Sequence, residues 1–315
     1  MSVFRYPDFY IIGAPKCGTT ALYEYLSGHT SIFMPKLKEP HFFARDFPSQ
    51  RKVHTEEEYL ALFSATPPGA IVGEASVWYL YSQFAVQEIT RIRPDAKFIV
   101  MLRNPVEVAQ SLHAQQLVGF VEDTVDFESV WRAQDRRARG EDIPLHCSEP
   151  AHLQYGKICR FADQIERLFG AVPKSQVLVL IYERFFSDVS DQYRDVLRFL
   201  DVPFQESVKF ERVNANQLPA NLAMHRLISH PPAILQPGFI LLRGLSRRFG
   251  LRLGVLSRVL TNVRPAHRPA ITDALERELR AYFAPDITRL ENLLGQPLDI
   301  WRSPVPRKPQ TTFAA

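Results

Sequence analysis

Short runs of apolar residues recur along the first two hundred positions and are separated by stretches with helical periodicity. Four of these runs predict buried strands, and they cover Phe9–Gly13, Ala70–Gly73, Lys97–Leu102 and Val177–Ile181. Continuous aliphatic runs of this kind are typical of parallel strands that are covered on both faces. The pattern therefore predicts a three-layer α/β protein, with a central parallel sheet of about four or five strands.

The stretches between the strands predict helices because their apolar residues recur every three or four positions. The predicted helices are Glu56–Phe63, Ser82–Ile92, Val106–Leu117, Phe127–Arg139, Ile158–Phe169, Asp191–Leu200 and, directly after the first strand, Thr19–Ser27. After Pro203, closely spaced prolines break the pattern, and a last helical pair, Ile271–Phe283 and Asp286–Leu294, is predicted to be split at Pro285. We expect a single domain, with an α/β core over 1–203, a helical arm and C-terminal cap over 204–302, and a flexible tail over 303–315.

A glycine-rich loop, Gly13-Ala-Pro-Lys-Cys-Gly-Thr-Thr20, joins the first strand to the first helix. Such a loop presents backbone N–H groups and the positive end of a helix dipole to an anion. Gly13 and Gly18 have the spacing of the triphosphate-binding motif GxxxxGK[ST], but Thr19 occupies the lysine position and the lysine lies upstream, at Lys16. The loop therefore predicts a phosphate site without a triphosphate–Mg²⁺ cluster, and we predict no metal ligand.

A second candidate phosphate site follows the third predicted strand. Arg103 stands directly after that strand, where a magnesium-binding aspartate would otherwise be expected, and Ser111 lies on the following helix. An arginine at the end of a strand and a hydroxyl two helical turns further on can hold one isolated phosphate. Two separate phosphate sites at the strand ends indicate a nucleotide that is phosphorylated at both ends.

These motifs resemble those of a known enzyme family. Pro15–Thr20 resembles the 5′-phosphosulfate loop of sulfotransferases that use 3′-phosphoadenosine 5′-phosphosulfate (PAPS), and Arg103 with Ser111 resembles their 3′-phosphate motif. Lys38–Phe43 is similar to a segment of the carbohydrate branch, which includes the heparan sulfate sulfotransferases, and of its bacterial relatives. The resemblance implies a P-loop-like fold and PAPS as donor, with adenosine 3′,5′-bisphosphate (PAP) as product. It also implies sulfuryl transfer to a hydroxyl or amine of a small-molecule or carbohydrate acceptor.

Sulfuryl transfer needs in-line positioning, a cation on the leaving phosphate and a base for the acceptor proton. Lys16 is predicted to supply the cation. The backbone N–H groups and hydroxyls of the loop are predicted to hold the 5′-phosphate, which involves Cys17, Gly18, Thr19 and Thr20. At a helix N-terminus the pKa of the Cys17 thiol is also expected to fall.

The resemblance makes Glu39 the candidate base, with His41 as an alternative base or as a residue that orients the acceptor. An ion pair of Glu39 with Lys36 or Lys38 is the structural alternative for that carboxylate. The similarity continues through Glu74, Ser76 and Tyr79, which are predicted to line the acceptor cleft. Ala75 stands where some carbohydrate sulfotransferases carry a lysine, which argues against a polyanionic glycan as acceptor.

The chain of 315 residues has 38 basic and 34 acidic side chains, and its formal charge of +4 is too small to indicate nucleic-acid binding. The charge is uneven, since residues 226–268 contain eight arginines and no acidic residue. This basic arm is predicted to bring Arg264 and Arg268 to PAPS; a membrane-surface element and a solvated cap are the alternatives.

Three cysteines without a CxxC pair, the absence of a signal peptide and the absence of a long apolar run together predict a cytoplasmic protein. Two other functions stay open from the residues alone. One is a nucleotide-binding regulatory protein that has lost transfer, against which Lys16 and Glu39 argue. The other is a P-loop kinase, which Thr19 at the lysine position disfavours.

Overall fold

The computed structural model describes residues 5–205, 210, 217–219, 263–265 and 271–302. Five strands form one parallel sheet in the order β2-β3-β1-β4-β5. They are β1 (Phe9–Gly13), β2 (Ile32–Phe33), β3 (Ile71–Ala75), β4 (Lys97–Leu102) and β5 (Val177–Ile181). The predicted parallel α/β sheet is confirmed, and the strand that the sequence missed, β2, is only two residues long.

Both faces of the sheet are covered. Every residue of β1 is buried, and so is β4 from Phe98 to Leu102. Because successive side chains of a strand point to opposite faces, a strand that is buried throughout must be packed on both sides. The continuous apolar runs in the sequence are the cause of this arrangement.

The helices of the described residues follow the predicted order, with shifted ends. They are α1 (Thr19–Ser27), α2 (Glu56–Ala61), α3 (Ala85–Ile92), α4 (Pro105–Val118), α5 (Phe127–Arg132), α6 (Gln134–Ala138), α7 (Tyr155–Ile158), α8 (Phe161–Ala171), α9 (Tyr182–Ser187), α10 (Val189–Phe199) and α11 (Asp273–Leu294). The single helix predicted over Phe127–Arg139 is two helices, α5 and α6, and the short helices α7 and α9 were not predicted. Among the described helices, none is both long and apolar enough to cross a membrane.

The prediction that Pro285 splits the last helical pair is wrong. α11 is one helix that contains Pro285, begins after a Thr272 cap and ends at Gly295 in the left-handed conformation. Its buried residues continue at helical spacing on both sides of the proline, from Leu279 and Phe283 to Ile287. The helix also packs on α8, where the Asp286 carboxylate accepts the backbone N–H of Ala162 at 3.2 Å. This packing offsets the one helical hydrogen bond that Pro285 removes.

The order of the strands creates a crevice at one edge of the sheet. β2 and β3 lie on one side of β1, and β4 and β5 lie on its other side. The carboxyl ends of β1 and β4 lie side by side, since Gly13 pairs with Val100. Ligands of open parallel sheets bind at such a switch point, so the two predicted phosphate motifs follow the two strands that form it.

Only part of the predicted arm and cap is described. β6 (Gln217–Pro219) and β7 (Val263–Pro265) pair in antiparallel fashion, with Leu218 opposite Arg264. Most of the basic arm, including Arg268, lies outside the described residues, and so does the predicted tail. The division of the chain into core, arm and tail stays a prediction.

Gly73 offers a test of the packing at the centre of the sheet. A Cβ at this position would lie 2.2 Å from the Phe9 ring and 2.5 Å from Met34 Sδ, so the substitution Gly73→Ala overpacks the core. We expect a loss of about 1–3 kcal/mol in the free energy of unfolding, measured by denaturant titration. Gly170→Ala in α8 is the matched control because nothing lies within 4 Å of its Cβ, and it should be neutral or stabilising. Equal stability of the two variants would contradict this account of the core.

Candidate functional site

The loop after β1 is held on both sides by neighbouring chain. The Ala14 N–H donates to the Met101 carbonyl of β4 at 2.8 Å, and the Leu80 N–H donates to the Ile12 carbonyl at 2.8 Å. Gly13 has a φ of +152°, and a Cβ there would lie 2.9 Å from both Leu80 Cβ and the Val77 carbonyl oxygen. Glycine is required because the turn after β3 approaches the loop this closely.

The N-terminus of α1 is available to an anion. Gly18 is the N-cap residue with a φ of +90°, it has no side chain to cap the helix, and the first turn carries no acidic residue. The first backbone N–H groups of a helix lack partners within the helix, and the helix dipole adds partial positive charge there. Thr19 is buried and Thr20 is half-buried at this end.

The expectation that the pKa of the Cys17 thiol is lowered is wrong. The Cys17 side chain is completely buried beneath the loop, and its Sγ lies 3.5 Å from the Pro15 carbonyl oxygen. Burial raises the pKa of the thiol far above its usual range, which outweighs the opposing effect of the Arg103 charge. Desolvation of the thiolate thus exceeds the effect of the helix terminus, and Cys17 serves as a small core residue.

Arg103 stands at the end of β4, as predicted, and aromatic packing fixes it there. Its guanidinium lies 4.3 Å from the centroid of the Tyr182 ring and forms an ion pair with Glu107 one turn along α4. Its Nε is buried and has no hydrogen-bond partner within the described part of the chain. Ser111 is buried on the same helix. A cation with an unused buried donor is suited to bind an anion.

Tyr182 connects the two phosphate motifs, and sequence reasoning missed it. A Cβ on Gly18 would lie 3.0 Å from the Tyr182 ring, so the same ring that packs against Arg103 also packs against the loop. Tyr182 begins α9, directly at the end of β5. Its position after β5 is a sequence signal, because residues that follow parallel strands meet at one edge of the sheet.

The segment Glu39–Phe43 runs beside the end of β3. The Glu39 N–H donates to the Ala75 carbonyl at 2.9 Å, and the His41 N–H donates to Ser76 Oγ at 3.0 Å. The Phe43 N–H donates to the Tyr79 hydroxyl at 3.2 Å. The end of β3 and the turn after it therefore hold this segment at alternate residues, next to the loop that follows β1.

Three candidate catalytic residues share an uncommon backbone conformation. Lys16, Glu39 and His41 have φ values of 65°, 60° and 52°, in the left-handed region. Residues other than glycine, asparagine and aspartate rarely adopt it, and such strain persists mainly where the surrounding structure imposes it, often at active sites. The three residues that the sequence motifs select for chemistry are thus also three that the fold strains.

The Glu39 carboxylate lies close to both Lys38 and His41. Lys38 Nζ lies 2.5 Å from Glu39 Oε1, which realises the ion-pair alternative, and His41 Nε2 lies 3.9 Å from Glu39 Oε2. Burial acts to raise the pKa of Glu39, but His41 and Lys38 overcome it and lower that pKa to about 2. Burial is also the largest influence on His41, and it lowers the pKa of the imidazole. At neutral pH the pair is therefore an anionic carboxylate beside a neutral imidazole.

The residues predicted to line the acceptor cleft lie inside the protein. Glu74, Ser76 and Tyr79 are fully buried. Glu74 Oε2 accepts hydrogen bonds from the hydroxyls of Tyr59 at 2.9 Å and Tyr79 at 3.0 Å. The structure places them behind Glu39–Phe43 rather than at the surface. Their contact with an acceptor stays a prediction, and the observed contacts are with the segment that carries Glu39 and His41.

His152 is a further buried histidine beside this segment. Its ring stacks on Trp78 with 3.9 Å between centroids and also packs on Phe47. Burial lowers its pKa to about 3, so His152 is a neutral imidazole near neutral pH. No motif in the sequence pointed to it. The side chains of Arg264 and Arg268, by contrast, fall outside the described residues, and their contact with PAPS stays a prediction.

Comparison with known proteins agrees with this geometry. The sulfotransferase domain model matches residues 6–218, and the chain therefore belongs to the sulfotransferase family. A crystal structure of a sulfotransferase from Alicyclobacillus acidocaldarius is similar, with 28% identity, a TM-score of 0.67, and coverage of 95% of this chain and 100% of that one. The resemblance found in the sequence motifs is thus confirmed at the level of family and fold.

Two curated relatives have names that refer to carbohydrates. Carbohydrate sulfotransferase 15 of Mus musculus is 29% identical over 248 residues, which covers 62% of this chain and 44% of that protein. Heparan sulfate glucosamine 3-O-sulfotransferase 6 of Homo sapiens is 27% identical over 292 residues and covers 93% of this chain and 73% of that protein. The chain thus spans less than half the length of the first of these relatives.

Proposed function

We propose that this protein transfers a sulfuryl group from PAPS to a hydroxyl or amine of a small-molecule or carbohydrate acceptor. The observation that carries the proposal is that Tyr182 packs against both candidate anion sites, the loop at the end of β1 and Arg103 at the end of β4. A donor with one phosphate at each end of a nucleoside requires two such sites, and membership of the sulfotransferase family agrees with this donor.

The residues present fit PAPS. The end of α1 lacks a capping side chain or an acidic residue, and Arg103 Nε lacks a partner in the described part of the chain. The N–H groups of Cys17, Gly18, Thr19 and Thr20 would hold the 5′-phosphate, and Arg103 with Ser111 would hold the 3′-phosphate. Glu107 now pairs with Arg103, so a bound phosphate would compete with that carboxylate for the guanidinium.

Two residues would carry the chemistry. Lys16, held in the loop after β1, would place an ammonium group on the oxygen that leaves, where negative charge develops. Glu39 would accept the proton of the acceptor, and the neutral His41 imidazole beside it would orient the acceptor. The left-handed backbone of all three residues supports their assignment.

The acceptor is proposed to be a hydroxylated molecule without high negative charge. The relatives named for carbohydrate acceptors favour a sugar or sugar-like group. Ala75, at the end of β3, provides no cation next to Glu39 with which to bind a polyanion. A cytoplasmic location and the contribution of Arg264 and Arg268 remain predictions.

Donor binding can be tested by thermal shift. PAP should raise the melting temperature by several degrees at about a hundredfold excess over its Kd, since about 2.7 kcal/mol is then gained, whereas ATP with Mg²⁺ should not. Arg103→Ala should reduce the shift by removing the 3′-phosphate cation. Arg194→Ala, an exposed arginine on α10, is the control that should leave the shift unchanged. Stabilisation by ATP–Mg²⁺ instead of PAP would favour the kinase alternative.

Transfer itself requires a screen of acceptors with ³⁵S-labelled PAPS. Lys16→Ala should lower kcat by about a hundredfold or more with every acceptor that the wild type modifies, because the leaving phosphate loses its cation. Lys36→Ala, in the segment before Glu39, is the control for loss of a positive charge. Normal turnover by Lys16→Ala would remove this residue from the mechanism. PAP binding without transfer to any acceptor would favour the regulatory alternative.

The pH dependence of kcat distinguishes the two candidate bases. With a pKa of about 2, Glu39 itself stays ionised, so a Glu39 base predicts no loss of kcat between about pH 6 and pH 4. Glu39→Gln should then lower kcat by about 10²–10⁴-fold throughout that range. If His41 is the base, kcat should fall as pH decreases through the pKa of the imidazole, and His41→Ala should abolish that fall. Full activity of both variants would place the base elsewhere.

A further inference from the structure

Glu74 is a buried carboxyl group directly behind the proposed catalytic segment. It lies on β3, is 0% exposed, and its Oε2 accepts hydrogen bonds from the hydroxyls of Tyr59 and Tyr79. The Tyr79 oxygen in turn accepts the Phe43 N–H at 3.2 Å. The Tyr79 hydroxyl thus connects the carboxyl group to the backbone of Glu39–Phe43.

A purely structural role does not require a carboxyl group at this position. Burying an ionisable group is costly unless it is paired, and no lysine, arginine or histidine of the described residues lies within ion-pair distance of Glu74. Its second oxygen, Oε1, has no hydrogen-bond partner there either. A buried carboxyl group without an ion-pair partner, directly behind the segment of Glu39, is therefore a candidate for a function that uses its charge.

The charge of Glu74 is coupled to that of Glu39. Burial raises the pKa of Glu74 to about 7, the hydroxyls of Ser76, Tyr59 and Tyr79 oppose this rise, and the negative charge of Glu39 adds to it. Such coupling is mutual, so an ionised Glu74 increases the affinity of Glu39 for a proton. The other titratable groups facing Glu74 are tyrosines, namely Tyr10 on β1, Tyr59 on α2 and Tyr79, and burial keeps all three protonated near neutral pH.

We propose that Glu74 is a positioning residue for sulfuryl transfer, which holds Glu39–Phe43 through Tyr79 and makes Glu39 a stronger base when its own carboxyl group is ionised. This inference rests on the proposed function. The ion pair with Lys38 and the proximity of His41 make Glu39 a weak base, and the negative charge behind the segment offsets them. Activity then depends on a buried carboxyl group that acts through Glu39.

The test compares Glu74→Gln with the wild type at two pH values. Glutamine has the shape of the protonated carboxyl group and cannot ionise, so the variant should match the kcat of the wild type near pH 6. Near pH 8 it should be about tenfold less active, with an unchanged KM for PAPS, because the charge behind Glu39 is missing. Glu74→Asp should restore part of the rise in kcat between these pH values.

Two tyrosine variants separate positioning from packing. Tyr79→Phe removes the link to the Phe43 N–H and should lower kcat at both pH values. Tyr59→Phe is the matched control, since it removes the other hydrogen bond to the same oxygen and keeps the ring that packs on Phe42 and Phe43. A wild-type PAP thermal shift confirms that each variant is folded. Equal losses in Tyr59→Phe and Tyr79→Phe, or a wild-type pH profile in Glu74→Gln, would overturn the proposal.

A second measurement is independent of turnover. The infrared difference spectrum of the wild type between pH 6 and pH 8 should contain the loss of a buried carboxyl C=O band, and Glu74→Gln should lack that band. If the wild type transfers sulfate to no acceptor, the proposed function fails and this spectrum still shows whether Glu74 ionises. If the band is absent from the wild type, the inference about Glu74 fails and the proposed function stands.

Discussion

The position of β1 between β3 and β4 is the constraint on which the rest of the site depends. Hydrogen bonds to both neighbours fix the carboxyl end of β1, so the loop that follows must pass between the turn after β3 and the end of β4. Gly73 admits the Phe9 ring within the sheet, and Gly13 admits the turn at Val77–Leu80. The proposed donor and acceptor sites are adjacent because one strand orders both.

Charge in the site is divided between the two sides of β1. Toward β4 lie the positive end of α1 and Arg103, whose guanidinium is stacked on Tyr182. Toward β3 lie two carboxyl groups, Glu39 in an ion pair and Glu74 with no ion-pair partner among the described residues. An anionic donor suits the first side and a proton-accepting group suits the second, because each charge is stabilised only where opposite charge or hydrogen-bond donors face it.

Much of the fold could be predicted from the sequence, since it depends on local patterns. The four long strands follow from apolar runs, and the phosphate loop follows from the glycine spacing between β1 and α1. The predictions failed where packing overrides propensity. Pro285 lies inside α11 because the buried stripe continues past it, and the Cys17 thiol is protonated because burial outweighs the helix terminus.

The sequence by itself determined the family and the layer architecture, and it predicted the residues that would bind phosphate, because these are encoded in periodicity and in short contiguous motifs. Only the tertiary structure decided which distant residues meet. Tyr182 joins Gly18 to Arg103, and Glu74 contacts the segment of Glu39 through Tyr79. The place of Tyr182 directly after β5 is a signal that it lies at this edge, but no short motif reveals which residues either contact joins, since each contact arises when parallel strands bring separate parts of the chain to one edge of a sheet.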